Sequence, residues 1–161
     1  LYTSIQVFPV VSAKQMYEQC IDLYDKMDVA IAAAAVADYT PEQVADKKIK
    51  REKTGDMSLN LKPTQDIAAC LGEMKERYPG KILVGFALET NNEQYNAEDK
   101  LKRKNLDFIV LNSLNDKGAG FRCDTNKISI IDRSGKKDYP LKSKAEVAAD
   151  IIDHLVEVMN S

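Results

Sequence analysis

The sequence predicts an α/β fold around a mainly parallel sheet. Apolar runs of strand length recur at residues 28–35, 81–88 and 107–111, and segments of helical period separate them. A run that is apolar at nearly every position fits a parallel strand covered on both faces. With 161 residues, of which 44% are hydrophobic, the chain can bury one sizeable core, so residues 1–161 are read as a single domain.

The elements follow in order. Ile5 to Val10 reads as a short buried strand beginning almost at the first residue, which is not methionine. A domain rarely opens that way, so an N-terminal section is expected to be missing. Ser12 can cap a helix whose Ala13, Met16, Tyr17, Cys20, Leu23, Tyr24 and Met27 form one apolar face. The strand at 28–35 comes next. Met57 to Leu61 alternates as a strand, and Thr64 can cap a helix carrying Ile67, Leu71 and Met74. Pro79-Gly80 stops that helix. Lys81 to Leu88 is a buried strand, Asn92 to Lys104 a charged helix and Asp107 to Leu111 a further strand. Residues 112–121 read as a loop. Lys127 to Asp132 and Lys137 to Leu141 predict a hairpin around Ser134-Gly135. Lys144 to Met159 closes the chain as a helix burying Val147, Ile151, Ile152, Leu155 and Met159.

Composition narrows the function classes. A net charge of −2 argues against a general nucleic-acid binder. No apolar run approaches the roughly 18 residues of a membrane span, so a soluble protein without a membrane partner is expected. Cys20, Cys70 and Cys123 lie far apart without metal-site spacing, and free thiols fit a reducing cytoplasm. The one histidine, His154, reads as a solvated helix residue, which leaves no histidine triad or multi-histidine metal site. Chemistry then falls to lysine, carboxylate, backbone amides and the substrate's own phosphates.

Ligands of such sheets sit at the carboxyl ends of strands. At Ile31 to Tyr39 a strand dissolves into the small residues Ala32, Ala33 and Ala34 and then Asp38. Small side chains let a ligand approach the backbone, and Asp38 could serve a ribose or a cation; a tight strand crossing with Asp38 as a turn or cap is the plainer reading of this stretch alone. Lys47 to Lys53 is basic, and an extended backbone would put Lys48 and Lys50 on one face toward a polyphosphate. A solvated edge that resists strand pairing is the plainer reading. On the helix at 92–104, Lys102 and Arg103 each have an acidic residue four positions earlier, whereas Lys100 and Lys104 have only Asn96 and each other. That face either awaits an anion or is merely solvated. Phe86 could stack on a base or fill the core. The helix start Gln65-Asp66-Ile67-Ala68 could offer free amides to a phosphate, or Thr64 could simply cap it.

In order, A-A-A-V-A-D-Y, K-K-I-K-R, T-Q-D-I-A, V-G-F-A-L-E-T, K-L-K-R-K-N-L-D-F-I-V-L-N and G-F-R-C-D-T-N closely resemble bacterial phosphopantothenate–cysteine ligase, from Ile5 to the end of the chain. The resemblance implies a Rossmann-like three-layer α/β fold that forms a homodimer. It also implies CTP-dependent joining of 4′-phosphopantothenate to L-cysteine through an acyl-cytidylate. Carried over by motif, Ala32, Ala33, Ala34, Asp38, Lys48, Gln65, Asp66, Ile67, Ala68, Phe86, Lys100 and Lys104 would bind CTP, and Lys48 would also be catalytic. Magnesium is implied as the companion of the triphosphate, with no protein metal ligand assigned, and FMN only where a decarboxylase domain is fused. Gln65 and Ala68 stand where the family often has proline and a larger aliphatic residue, and Leu111 where a small one is common. The family's N-terminal Gly/Thr-rich turn would precede Leu1. An ATP-using ligase and a non-catalytic binding or dimerisation module are the competing readings.

Overall fold

A computed structural model describes residues 4–50, 57–113 and 124–161. The elements run α1 (Ala13–Tyr24), β1 (Val29–Ala32), β2 (Tyr39–Pro41), β3 (Leu61–Pro63), α2 (Ile67–Lys75), β4 (Ile82–Glu89), α3 (Glu93–Arg103), β5 (Phe108–Ser113), β6 (Thr125–Asn126), β7 (Ile128–Asp132), β8 (Lys136–Asp138), β9 (Lys142–Ser143) and α4 (Lys144–Met159).

The central sheet has five strands in the order β1-β4-β5-β7-β8. β1, β4 and β5 are parallel, with Ala32 opposite Gly85 and Glu89 opposite Ser113, and the antiparallel hairpin β7-β8 extends them. Alternation along the buried strands divides the core in two. Leu83, Ala87, Ile109 and Leu111 pack with Tyr24, Leu71 and Leu101 from α1, α2 and α3. Val84, Phe108 and Val110 face the other way, onto Val147, Ile151 and Leu155 of α4. Helices on both faces of the sheet make the expected three layers.

Local chemistry sets the helix ends. Ser12 accepts the Gln15 amide at 3.2 Å, as expected of a cap. Ser143 and Glu146 close a reciprocal capping box at the start of α4. The α2 cap is Asp66 rather than Thr64: the Asp66 carboxylate accepts the Ala69 amide at 3.1 Å, while the Thr64 hydroxyl donates to the Ala37 carbonyl at 2.6 Å. The Thr64 amide also donates to the Asp38 carbonyl at 2.9 Å. These bonds fix the β2-β3 pair at Tyr39–Pro41 and Leu61–Pro63, so the strand expected at 57–61 begins only at its last residue.

Other expectations need correction. Residues 5–10 form no strand, and Ile5, Val7, Phe8 and Val10 are exposed. No described strand lies beside β1 to pair with them, and an unpaired parallel strand has nowhere to place its amides. β1 is a four-residue edge strand with Ile31 exposed, so it is not covered on both faces. Met27 lies beyond α1, and Ile152 and Met159 are exposed because the buried stripe of α4 runs through Val147, Ile151, His154 and Leu155. His154 is therefore buried, not solvated. The expected loop at 112–121 lies largely outside the described residues, as does Cys123. Among the described residues no helix is long and apolar enough to cross a membrane.

Candidate functional site

A cavity of about 580 Å³ opens beyond the carboxyl end of β1, where the chain leaves the sheet. The residues expected to bind a nucleotide reach its wall from four segments. Ala32, Ala33, Ala34 and Asp38 come from the last residue of β1 and the segment after it; Gln65, Asp66, Ile67 and Ala68 from the start of α2; Phe86 from β4; and Lys100 and Lys104 from α3 and its end. Of the residues expected to bind a nucleotide, Lys48 alone is not in this wall. It is exposed, in the irregular stretch between β2 and β3, where residues 47–50 form no strand; residues 51–53 of the basic run lie outside the described residues.

Two glycines bring these segments together. A Cβ on Gly72 of α2 would run into the backbone carbonyl of Lys104, so the bare backbone lets α2 lie against the end of α3. A Cβ on Gly85 would strike the Leu106 side chain, so glycine keeps β4 clear where it borders the cavity. The inner wall is apolar, with Met16 and Cys20 from α1 and Leu71, Leu106 and Ile109 around it. Burial pushes the Cys20 thiol up from its ordinary value. Phe86 borders the cavity, but its apolar packing belongs to the cluster on the α4 side.

The lysines differ from the expectation that they lack acidic partners. Lys100 Nζ lies 2.6 Å from Oε1 of Glu89, and Lys104 Nζ lies 2.8 Å from Oδ2 of Asp66. Both partners come from other elements, out of reach of a count along one helix. On the helix itself Arg103 pairs with Asp99 at 3.6 Å, whereas Glu98 accepts the Gln94 amide nitrogen at 2.8 Å. Burial works to raise the Asp66 carboxyl; the hydrogen bonds from Lys104 and the Ala69 amide, with the nearby positive charges, outweigh it and hold the group below its ordinary value. Glu89 was not foreseen. Its one sequence signal is a carboxylate at the end of a buried strand.

The first amides of a helix have no partner within it. Asp66 takes that of Ala69, and those of Ile67 and Ala68 lie in residues that border the cavity. The site thus offers backbone groups after β1, helix-start amides, two lysines and an apolar floor, a set suited to a flat ring carrying phosphates.

Sheet order and helix layers define a Rossmann-like α/β domain with a cavity beyond the carboxyl end of β1. The chain belongs to the DNA/pantothenate metabolism flavoprotein C-terminal domain family, which it matches over residues 2–159. It is 44% identical to the coenzyme A biosynthesis bifunctional protein CoaBC of Bacillus subtilis, over 93% of this chain and 36% of that protein. It is 55% identical to a cysteine/cysteine sulfinic acid decarboxylase of an unknown prokaryotic organism, over 97% of this chain and 43% of that protein. The chain therefore spans well under half the length of these relatives. Its fold superimposes on the crystal structure of the C-terminal domain of CoaBC with a TM-score of 0.76 and 32% identity, covering 98% of this chain and 68% of that one. The DNA/pantothenate metabolism flavoprotein of Streptococcus pneumoniae gives the same TM-score at 19% identity, over 98% and 75% of the two chains, a likeness of fold.

Proposed function

We propose that this chain is the nucleotide-binding ligase domain of a cytoplasmic, homodimeric phosphopantothenate–cysteine ligase that uses CTP. The observation that carries the reading is the gathering of Ala32–Ala34, Asp38, Gln65–Ala68, Phe86, Lys100 and Lys104 around one cavity in a chain of this family.

In the proposed reaction a carboxylate oxygen of 4′-phosphopantothenate attacks the α-phosphorus of CTP, and pyrophosphate leaves. The amine of cysteine then attacks the acyl carbon, gives up a proton and displaces CMP. The backbone of Ala32–Ala34 would read the nucleoside, the helix-start amides and the two lysines would hold phosphates, and Lys48 would offset charge growing in the transition state. Each lysine already faces a carboxylate, so a triphosphate has to share or displace those pairs. Among the described residues no group of three His, Cys, Asp or Glu side chains could hold a metal. In this reading magnesium arrives with the triphosphate instead of resting in a cage built by the described residues.

Calorimetric titration with CTP and magnesium, with ATP as competitor and a Lys100→Ala, Lys104→Ala double variant as control, tests the reading. Saturable CTP binding that ATP displaces poorly and the variant loses supports it. Equal binding of ATP would transfer the reading to an ATP-using ligase. A folded chain that binds neither nucleotide would sink both.

The relative named a cysteine/cysteine sulfinic acid decarboxylase motivates a second reading, in which the chain is a non-catalytic binding module of a decarboxylase. The full-length protein separates the two. Pyrophosphate release that needs CTP and phosphopantothenate marks the ligase, and carbon dioxide released from cysteine without nucleotide marks the alternative.

A further inference from the structure

We propose that Glu89 is a positioning residue that holds the Lys100 ammonium at the cavity wall, ready for the phosphates of the nucleotide; this rests on the nucleotide-binding reading above. Glu89 ends β4, does not border the cavity, and its side chain is 14% exposed. Its two oxygens are engaged by successive turns of α3. Oε1 accepts Lys100 Nζ at 2.6 Å, and Oε2 accepts Asn96 Nδ2 at 3.1 Å. Asn96 also donates to the Asn91 carbonyl at 3.0 Å, tying the carboxylate to the chain that enters α3.

Lys100 borders the cavity, which Glu89 does not, and its side chain is 35% exposed, so in this proposal the ammonium rather than the carboxylate is the group that meets a bound phosphate. An ammonium has three donors, and keeping one on Glu89 leaves two for a ligand. Ordering a lysine before a ligand arrives spares that ligand roughly tenfold in affinity. The opposing effect is repulsion between Glu89 and the phosphates. It is the weaker one here because the paired ammonium neutralises a carboxylate whose oxygens are both occupied and which does not itself border the cavity.

A double-variant cycle on CTP binding by the full-length protein tests the assignment, with Glu89→Gln, Lys100→Ala and the two combined. Glu89→Gln is expected to weaken CTP about fivefold, the greater part of the lysine's ordering advantage. In the Lys100→Ala background the same change is expected to alter affinity by less than about twofold, because there is no ammonium left to position. A purely structural role would weaken binding in both backgrounds and overturn the proposal. So would tighter binding by Glu89→Gln, which would mark the carboxylate as a competitor of the phosphates. Glu89→Asp, which keeps the charge but shortens its reach, repeats the cycle if the glutamine variant does not fold. Failure of the unsubstituted protein to bind CTP overturns the nucleotide reading and this proposal together. Additive losses in a protein that does bind CTP overturn this proposal alone.

Discussion

The ammonium of Lys104 lies 2.8 Å from Oδ2 and 3.0 Å from Oδ1 of Asp66, and the same Oδ1 accepts the Ala69 amide at 3.1 Å. One carboxylate thereby caps α2 and anchors the end of α3. Asp66 is the more exposed partner, 42% against 20% for the lysine, and, unlike Glu89, it borders the cavity itself, so a phosphate reaching Lys104 meets the charge of this carboxylate. Asparagine caps as well as aspartate but carries no charge. Asp66→Asn is therefore expected to tighten CTP binding about threefold while keeping the cap and losing only the ion-pair part of the stability, whereas Asp66→Ala also loses the cap and about 1 kcal/mol more. Calorimetry and urea unfolding check the pair. Weakening by the asparagine variant as severe as that of Lys104→Ala would show the carboxylate acting for the ligand.

Acid is expected to unfold the protein through a small set of carboxylates. In Asp66 and Asp132 burial works to raise the group and is outweighed, in Asp132 by hydrogen bonds from the Ser134 hydroxyl and amide and the Gly135 amide. The Lys136 hydrogen bond lowers Asp138, and the Ser143 hydrogen bonds lower Glu146. All four folded values lie below the unfolded ones, so their stabilisation is present above the ordinary carboxylate range and is lost as pH falls through the folded values. Urea midpoints should stay level from about pH 7 to pH 5 and fall below about pH 4. The fall should be shallower in Asp132→Asn. A midpoint unchanged down to about pH 3 would contradict the assignment.

Gly72 lies where α2 meets the backbone at the end of α3. An added methyl would meet the Lys104 carbonyl, which is backbone and has little freedom to move aside. Gly72→Ala is expected to cost about 1–3 kcal/mol, despite alanine's higher helix propensity, and to weaken CTP binding by shifting Lys104 from its place in the cavity wall. Chemical denaturation with a parallel CTP titration reads both. A stabilised Gly72→Ala variant would mean that the helices separate freely there.

Most of the fold was legible because its signals are local. Ser12 and Ser143 mark helix starts through their own hydroxyls, the stop at Pro79-Gly80 falls where Gly80 adopts a φ of 88°, and the hairpin at Ser134-Gly135 is closed by Asp132. The strand expected at residues 5–10 failed for a non-local reason: an apolar run reports a wish to be buried, not the presence of a neighbour to pair with. The cavity residues were legible through an ordered set of motifs. The partners of Lys100 and Lys104 were not, because Glu89 and Asp66 lie 11 and 38 positions away and meet the lysines only in three dimensions. His154 was misread for the opposite reason, since a single polar residue in an apolar stripe looks like a break in the stripe.

Burial of His154 leads to a prediction about the layer remote from the cavity. Its ring meets Phe108 edge-on at a centroid distance of 4.8 Å, and Nε2 lies 3.2 Å from Asp132. Among the described residues neither ring nitrogen has a partner in hydrogen-bonding alignment, despite the nearby carboxylates. The ring then contributes chiefly as packing. His154→Ala is expected to lose about 2 kcal/mol by leaving a void, and His154→Phe to stay within about 1 kcal/mol of the parent. Neither should change CTP affinity, since the ring packs on the face opposite α1–α3. Equal losses in both variants would show that a polar interaction, not volume, matters there.

Lys48 supplies the sharpest division between binding and chemistry. It stands outside the cavity wall on an exposed, irregular stretch, so it contributes nothing to a preformed nucleotide pocket. If it serves the reaction, it does so by approaching the phosphates once substrates are in place, and it then stabilises charge that exists only in the transition state. Lys48→Ala is accordingly expected to lower kcat about a hundredfold or more while changing the Kd for CTP by less than about threefold. Lys100→Ala should do the reverse, raising Kd with a smaller effect on kcat. Single-turnover formation of pyrophosphate by the full-length protein, set beside calorimetry, measures the two effects separately. A Lys48→Ala variant that loses CTP affinity as much as rate would place the lysine on the ground-state nucleotide, and one with normal turnover would remove it from the reaction.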